Sequence, residues 1–295
     1  MGYARFENKI TTGLTLRDDR EVVLKIVGNT ARSRTRSCAI PLSYGETRPE
    51  GGNLMLVIID PSTRHPEAEV CAQIIREYRG IARVVRPALS PDSRVDTRPE
   101  APSSESWAIA SLEDLPLEDI RGVMILGGGA SPTEELAWQT ELTQRLKQPL
   151  GPISRRSPIL GICYGHQLLG SIFGGAIELL WEGVCAKGLR AVSLSESSLG
   201  LEARQSYPLV ISHREGLRDP PKDWRALCAT THITGLDDTP PARAVEAMRH
   251  AEAPWWGFQA HIDATPAFMT NNHIGHALPE PYAGLRVIRS FLQLL

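Results

Sequence analysis

The sequence predicts an α/β fold: a mainly parallel sheet with helices on both faces, preceded by a small β-rich N-terminal extension. Three observations carry that expectation. From Asn53 onward, short apolar runs alternate with segments of helical spacing. The runs are continuously apolar, as in strands buried on both faces. The first 50 residues differ: two short stretches, 9–17 and 21–27, are rich in Thr, Val, Ile and Leu, as strands are.

The elements follow in order. Residues 9–17 and 21–27 read as strands, ARSRTRS (31–37) as an exposed basic stretch, and YGETRPEGGN (44–53) as a linker. This gives an extension over 1–50 and an α/β domain over 51–295. In the domain, LMLVIID (54–60) is the first strand. PEAEVCAQIIREYRG (66–80) is a helix with a glycine stop, and ARVVRPA (82–88) is the second strand. Residues 89–106 are rich in Pro, Ser and Asp and read as a surface loop. VMILGGG (123–129) is a strand ending in glycines, and 132–147 a helix. PILGIC (158–163) is a strand that runs straight into the helix GHQLLGSIFG (165–174). Residues 176–235 mix strand and turn signals, and the last helix is expected over 282–294. There is no internal repeat.

Composition narrows the function classes. The chain has 295 residues, enough for a substantial core, and a net charge of −2, which favours neither nucleic acid nor an anionic membrane. No apolar run reaches the roughly 18–20 residues a membrane helix needs. The N-terminus has no apolar signal region, so a cytoplasmic location is expected. The five cysteines are odd in number and widely spaced, with no CxxC, which argues against a disulfide framework and a structural zinc. His273 and His276 have ligand-like spacing but no acidic or cysteine partner nearby, so no metal is expected. No phosphate-binding GxxxxGK[ST] occurs, and no cofactor is expected.

The strongest local signal is Gly161-Ile162-Cys163-Tyr164-Gly165-His166-Gln167. A strand turning abruptly into a helix exposes the turn residue at the sheet's C-terminal edge, and flanking glycines permit the tight backbone. The helix N-terminus beside Cys163 favours a thiolate nucleophile. The Tyr164 amide would point the same way, as an oxyanion donor. An isolated free cysteine is usually only a small buried hydrophobe; the glycines and Gln167 set this one apart. In WGFQAHIDATP (256–266), His261 and Asp263 stand two apart, so an extended chain puts them on one face and the carboxylate can hold the imidazole.

GICYGHQLLG resembles the nucleophile elbow of class I glutamine amidotransferases, G-x-C-x-G-x-Q, and the resemblance spans roughly 53–294. It implies a flavodoxin-like sheet and a Cys-His-carboxylate triad that hydrolyses glutamine to glutamate and ammonia. GVMILGGGASPTEE is similar to the family's strand ending in Gly-Gly-Pro, which implies a second oxyanion donor at Gly128, with Gly127 and Gly129 as alternatives; a third glycine replaces the proline. GFQAHID resembles the block G-x-Q-x-H-P-E, which makes His261 the base and Asp263 its orienting acid; Ile262 replaces proline and Asp263 replaces glutamate. VISHREGL (210–217) resembles the family's histidine-containing loop. Ile211, Ser212 and His213 are its candidates for holding substrate, with Gln167 from the elbow. The implied substrate is a small amide, glutamine first. No synthetase domain is visible, so three readings stay open: a glutaminase subunit serving a separate synthetase, a stand-alone hydrolase or transferase of another amide, or a non-catalytic binding relative.

Overall fold

The computed structural model describes residues 12–17, 21–26, 55–63, 67–89, 107–110, 119–147, 157–230 and 244–295. The basic stretch 31–37, the linker 44–53 and nearly all of the loop 89–106 lie outside the described residues. The chain divides into two units, 1–49 and 50–295. The first contains β1 (Thr12–Arg17) and β2 (Glu21–Ile26), an antiparallel pair with Thr12 opposite Ile26 and Arg17 opposite Glu21.

The second unit runs β3 (Met55–Ile59), α1 (Ala68–Tyr78), β4 (Ile81–Val85), β5 (Trp107–Ala110), β6 (Ile120–Ile125), α2 (Ala137–Lys147), β7 (Ile159–Ile162) and α3 (Tyr164–Ile172). It continues with β8 (Ile177–Leu179), β9 (Ala186–Ser193), β10 (Ser206–His213), β11 (Glu215–Leu217), β12 (Trp224–Thr230), β13 (Ala244–His250), β14 (Trp255–Phe258), α4 (Pro266–Asn271) and α5 (Ala283–Leu292). Eight strands form one sheet in the order β12-β13-β14-β7-β6-β3-β4-β5. The six from β14 to β5 are parallel, and β13 runs antiparallel to both its neighbours. The α/β class with a mainly parallel sheet is as the sequence predicts.

Every residue of β3 is buried, because both sheet faces are covered. Leu56 and Ile58 pack with Val70 and Ile74 of α1 and with Val287 and Phe291 of α5. Met55, Val57 and Ile59 point the other way, into a core shared with Leu142 and Leu146 of α2 and Leu168 and Leu169 of α3. The period of two thus sorts one apolar run onto two helix layers.

Some expectations are corrected. Arg79, not Gly80, takes the left-handed C-cap of α1, and its N–H bonds to the Ile75 carbonyl. Residues 210–217 are not a loop: they end β10 and form β11, with only Arg214 between. β10 pairs with β9, and β11 with β8, as two small antiparallel sheets apart from the main one. Two buried ion pairs, Arg86–Asp60 and Arg190–Glu246, lie within this unit. Removing one partner of such a pair costs about 3–5 kcal/mol.

Candidate active site

Cys163 sits between β7 and α3 with φ 48° and ψ −99°. A non-glycine residue held there costs about 1–3 kcal/mol, so neighbouring structure must hold it. Cys163 N–H donates to the Phe258 carbonyl at 2.8 Å, Gly165 N–H to Leu126 at 3.3 Å, and Gln167 N–H to the Cys163 carbonyl at 3.0 Å. The motif glycines are steric necessities. A Cβ on Gly161 would lie 2.5 Å from the Gly165 carbonyl, and one on Gly165 would lie 2.2 Å from the Ile125 carbonyl oxygen. The start of α3 therefore seats against β6 and β7 only without those side chains. Its unpaired first-turn N–H groups bring partial positive charge to the sulfur.

His261 follows β14 and is buried. Its N–H donates to the Val210 carbonyl at 2.7 Å. Its ring packs on Phe268, centroids 4.3 Å apart, and a Cβ on Gly127 would come within 2.5 Å of its Cε1. The ring has a hydrogen bond to the Cys163 side chain. Burial pulls the imidazole pKa down, but the Cys163 charge and Asp263 outweigh it and hold the ring well above its ordinary value. Asp263 Oδ1 lies 3.4 Å from His261 Nδ1. The contact falls short of a hydrogen bond, and both atoms are buried with no hydrogen-bond partner among the described residues. The shorter acid thus holds the ring through a long ion pair.

Two further groups carry no sequence-based assignment. Gln259 donates from Nε2 to Cys163 Sγ at 3.7 Å and accepts from Gln167 Nε2 at 3.2 Å. A signal for it exists: Gly257, Gln259, His261 and Asp263 recur with period two. Gln167 also donates to the Glu215 carbonyl at 2.7 Å, so its amide ties α3 to β11. The second group is Glu67, half-buried at the N-terminus of α1, with its N–H donating to Asp60 Oδ2 at 3.0 Å. No motif marks it. Burial first, then the charge of Asp263, push its carboxyl up to about 7, with Asp60 adding to the rise and His261 opposing it.

A raised carboxyl means that the folded state holds a proton the unfolded chain has released. Stability should therefore fall as pH rises from about 4.5 to about 7. Glu67→Gln cannot ionise, so its melting temperature should match the parent's near pH 5 and exceed it near pH 8. Equal melting curves at pH 8 would show that Glu67 does not titrate this way.

Of the remaining candidates, Ile211, Ser212 and His213 close β10, beside the Val210 that bonds His261. His213 Nδ1 donates to the Glu215 carbonyl at 2.9 Å, and burial, then Arg190, push its pKa down to about 3. It stays neutral, whereas His261 has the charge state that suits a cysteine partner. Gly128 packs against Pro61, while Gly127 abuts His261. Tyr164 is buried, its ring 5.7 Å from that of Trp138. Among the described residues, no group of three His, Cys, Asp or Glu side chains could hold a metal, and no helix is long and apolar enough to cross a membrane.

The family model "Glutamine amidotransferase class-I" matches residues 97–275, more than half of the chain. The chain belongs to the class-I glutamine amidotransferase family. This fixes its activity class as amide hydrolysis of the glutamine amidotransferase type. Over 154 residues it is 30% identical to a glutamine-hydrolyzing GMP synthase subunit of Methanopyrus kandleri, covering 49% of this chain and 69% of that one. It is 23% identical over 158 residues to the longer glutamine-hydrolyzing GMP synthase of Mesoplasma florum, covering 54% of this chain but only 27% of that protein. A glutamine amidotransferase structure from Thermotoga maritima superimposes with a TM-score of 0.54 at 17% identity, covering 82% of this chain and 97% of that one. That likeness shows the fold, including the family's flavodoxin-like sheet.

Proposed function

We propose that Cys163, His261 and Asp263 form the working triad of a glutaminase that passes ammonia to a separate synthetase. The observation that supports it most is a strained cysteine at a strand-to-helix turn, hydrogen-bonded to a histidine whose pKa its charge raises. The Cys163 thiolate attacks the side-chain amide carbon of glutamine. The oxyanion is assigned to the Tyr164 N–H and a main-chain N–H of the glycine run, Gly128 with Gly127 and Gly129 as alternatives. As the C–N bond breaks, the His261 imidazolium protonates the nitrogen and ammonia leaves. A γ-glutamyl thioester remains. His261, now neutral, takes a proton from water, which attacks the thioester and releases glutamate and the thiolate.

Gln167, Ile211, Ser212 and His213 border this site and are the proposed substrate contacts. Ammonia must meet its acceptor before it reaches bulk solvent, and the Methanopyrus kandleri relative is named as one subunit of a GMP synthase. A separate synthetase is therefore the partner proposed here. The second reading, a hydrolase of another amide, draws on the aspartate that stands at 263, 3.4 Å from His261.

A glutamine analogue with an electrophilic side chain tests the assignment without a partner. It should modify Cys163 and no other cysteine, as read by peptide mass mapping, with glutamine protecting. Cys71 is buried with its thiol pKa raised, so it should be inert. Labelling of Cys185 instead of Cys163 would remove the triad; labelling of Cys163 without protection by glutamine would favour the second reading.

A further inference from the structure

Two residues alter the usual means of holding the histidine: Asp263 reaches it only as a long 3.4 Å ion pair, and Ile262 leaves the main chain after His261 freer than a proline would. The structure supplies another hold. His261 and Val210 face each other as an isolated antiparallel bridge. His261 N–H donates directly to the Val210 carbonyl. The return bond is not direct. The Tyr282 hydroxyl donates to the His261 carbonyl at 2.5 Å and accepts from the Val210 N–H at 3.1 Å. One phenol oxygen thus completes the bridge between the catalytic strand end and β10. The residue is buried, at 7% exposure, which strengthens these bonds.

The same chain segment grips the next residue. A Cβ on Gly284 would lie 2.3 Å from the Ile262 carbonyl oxygen and 2.7 Å from its Cα. Tyr282 and Gly284 flank the start of α5, whose body packs through Val287, Ile288 and Phe291 into the core. The main chain of His261 and Ile262 is therefore held by a helix anchored in the core.

We infer that Tyr282 is the positioning residue of His261, holding through the main chain the ring that Asp263 holds only loosely through its side chain. This rests on the triad proposed above. A histidine displaced by a fraction of an ångström loses its line to the sulfur and to the leaving nitrogen, and its charge couples less closely to the thiolate.

The test is Tyr282→Phe, which removes one oxygen and keeps the ring. In the chain alone, the rate of Cys163 alkylation by iodoacetamide is followed against pH, with His261→Gln as reference. His261→Gln should shift the pH dependence of alkylation, because the thiolate loses its imidazolium partner. Tyr282→Phe should shift it in the same direction by a smaller amount. In glutamine hydrolysis it should lower kcat roughly tenfold with KM within about twofold. If Tyr282→Phe does not fold, 2,3-difluorotyrosine at 282, a more acidic phenol of nearly equal shape, should shift the alkylation profile by itself. Tyr282→Phe with a parental profile and parental kcat would overturn the inference. So would an activity loss that tracks a fall in melting temperature while the profile stays put, since Tyr282 would then only support the fold. If His261→Gln leaves alkylation unchanged, it is the triad that fails, and Tyr282 falls with it.

Discussion

Cys163→Ser should abolish glutamine hydrolysis, by a factor on the order of 10⁴–10⁶, while leaving the protein folded. The size follows from the charge state of the pair. His261 is held well above its ordinary pKa, partly by the charge on Cys163 itself. In the triad proposed above, a thiol nucleophile beside His261 has its acid in place. A serine hydroxyl would first have to lose a proton to a neutral imidazole, and its own pKa lies far above that of a thiol. Burial of the site gives the alkoxide no compensating solvation. The fold should survive because the backbone at 163 is fixed by main-chain bonds to Phe258 and Gln167, and the turn by the Gly165–Leu126 bond and two glycines, none of which uses the sulfur. The measurement is steady-state ammonia release together with a thermal melt. Substantial turnover by the folded serine variant would place the nucleophile elsewhere.

What is legible in the sequence follows from how local each signal is. The apolar runs at 54–60, 123–129 and 158–163 announce β3, β6 and β7, because a strand buried on both faces has no polar alternation to confuse it. The elbow is legible because Gly161 and Gly165 have steric reasons within a few residues of Cys163. The short strand β5 hides behind a Pro- and Ser-rich stretch with no turn pattern to mark its start. The strands in 206–217 resemble loop because their Ser, His, Arg and Glu residues mask a pairing made with β9 and β8. Glu67 and Tyr282 are invisible for another reason. Their partners, Asp263 and His261, lie 196 and 21 residues away along the chain, and only the folded sheet edge brings them together.

Asp263→Asn should lower glutamine turnover by about 10–10³-fold, less than the roughly 10⁴ seen when the orienting carboxylate of a serine triad is neutralised. At 3.4 Å and an effective dielectric near 20, a carboxylate and an imidazolium attract by about 5 kcal/mol before desolvation is counted. Desolvation of the buried acid offsets part of that. The remainder corresponds to a few powers of ten at most. The Cys163 charge and the main-chain bonds at His261 persist in the variant, so the ring is weakened in orientation and charge but not released. The pH dependence should move with it: without the Asp263 charge the imidazole pKa falls, and the alkaline limb of the rate profile shifts to lower pH. Asp263→Glu adds one methylene and carries the carboxylate about 1.5 Å further along the chain. Closing a 3.4 Å contact to an ordinary hydrogen-bond distance takes only about 0.2–0.7 Å of that reach, so this variant should keep activity and can exceed the parent. The space is bounded, since Asp263 is 3% exposed and Glu67 sits within range of its charge. If Asp263→Glu is inactive while Asp263→Asn turns over, the site is built around the shorter acid, and an amide other than glutamine becomes the better substrate to seek. If Asp263→Ala works at the parental rate, Cys163 and His261 act as a dyad held by the main chain alone.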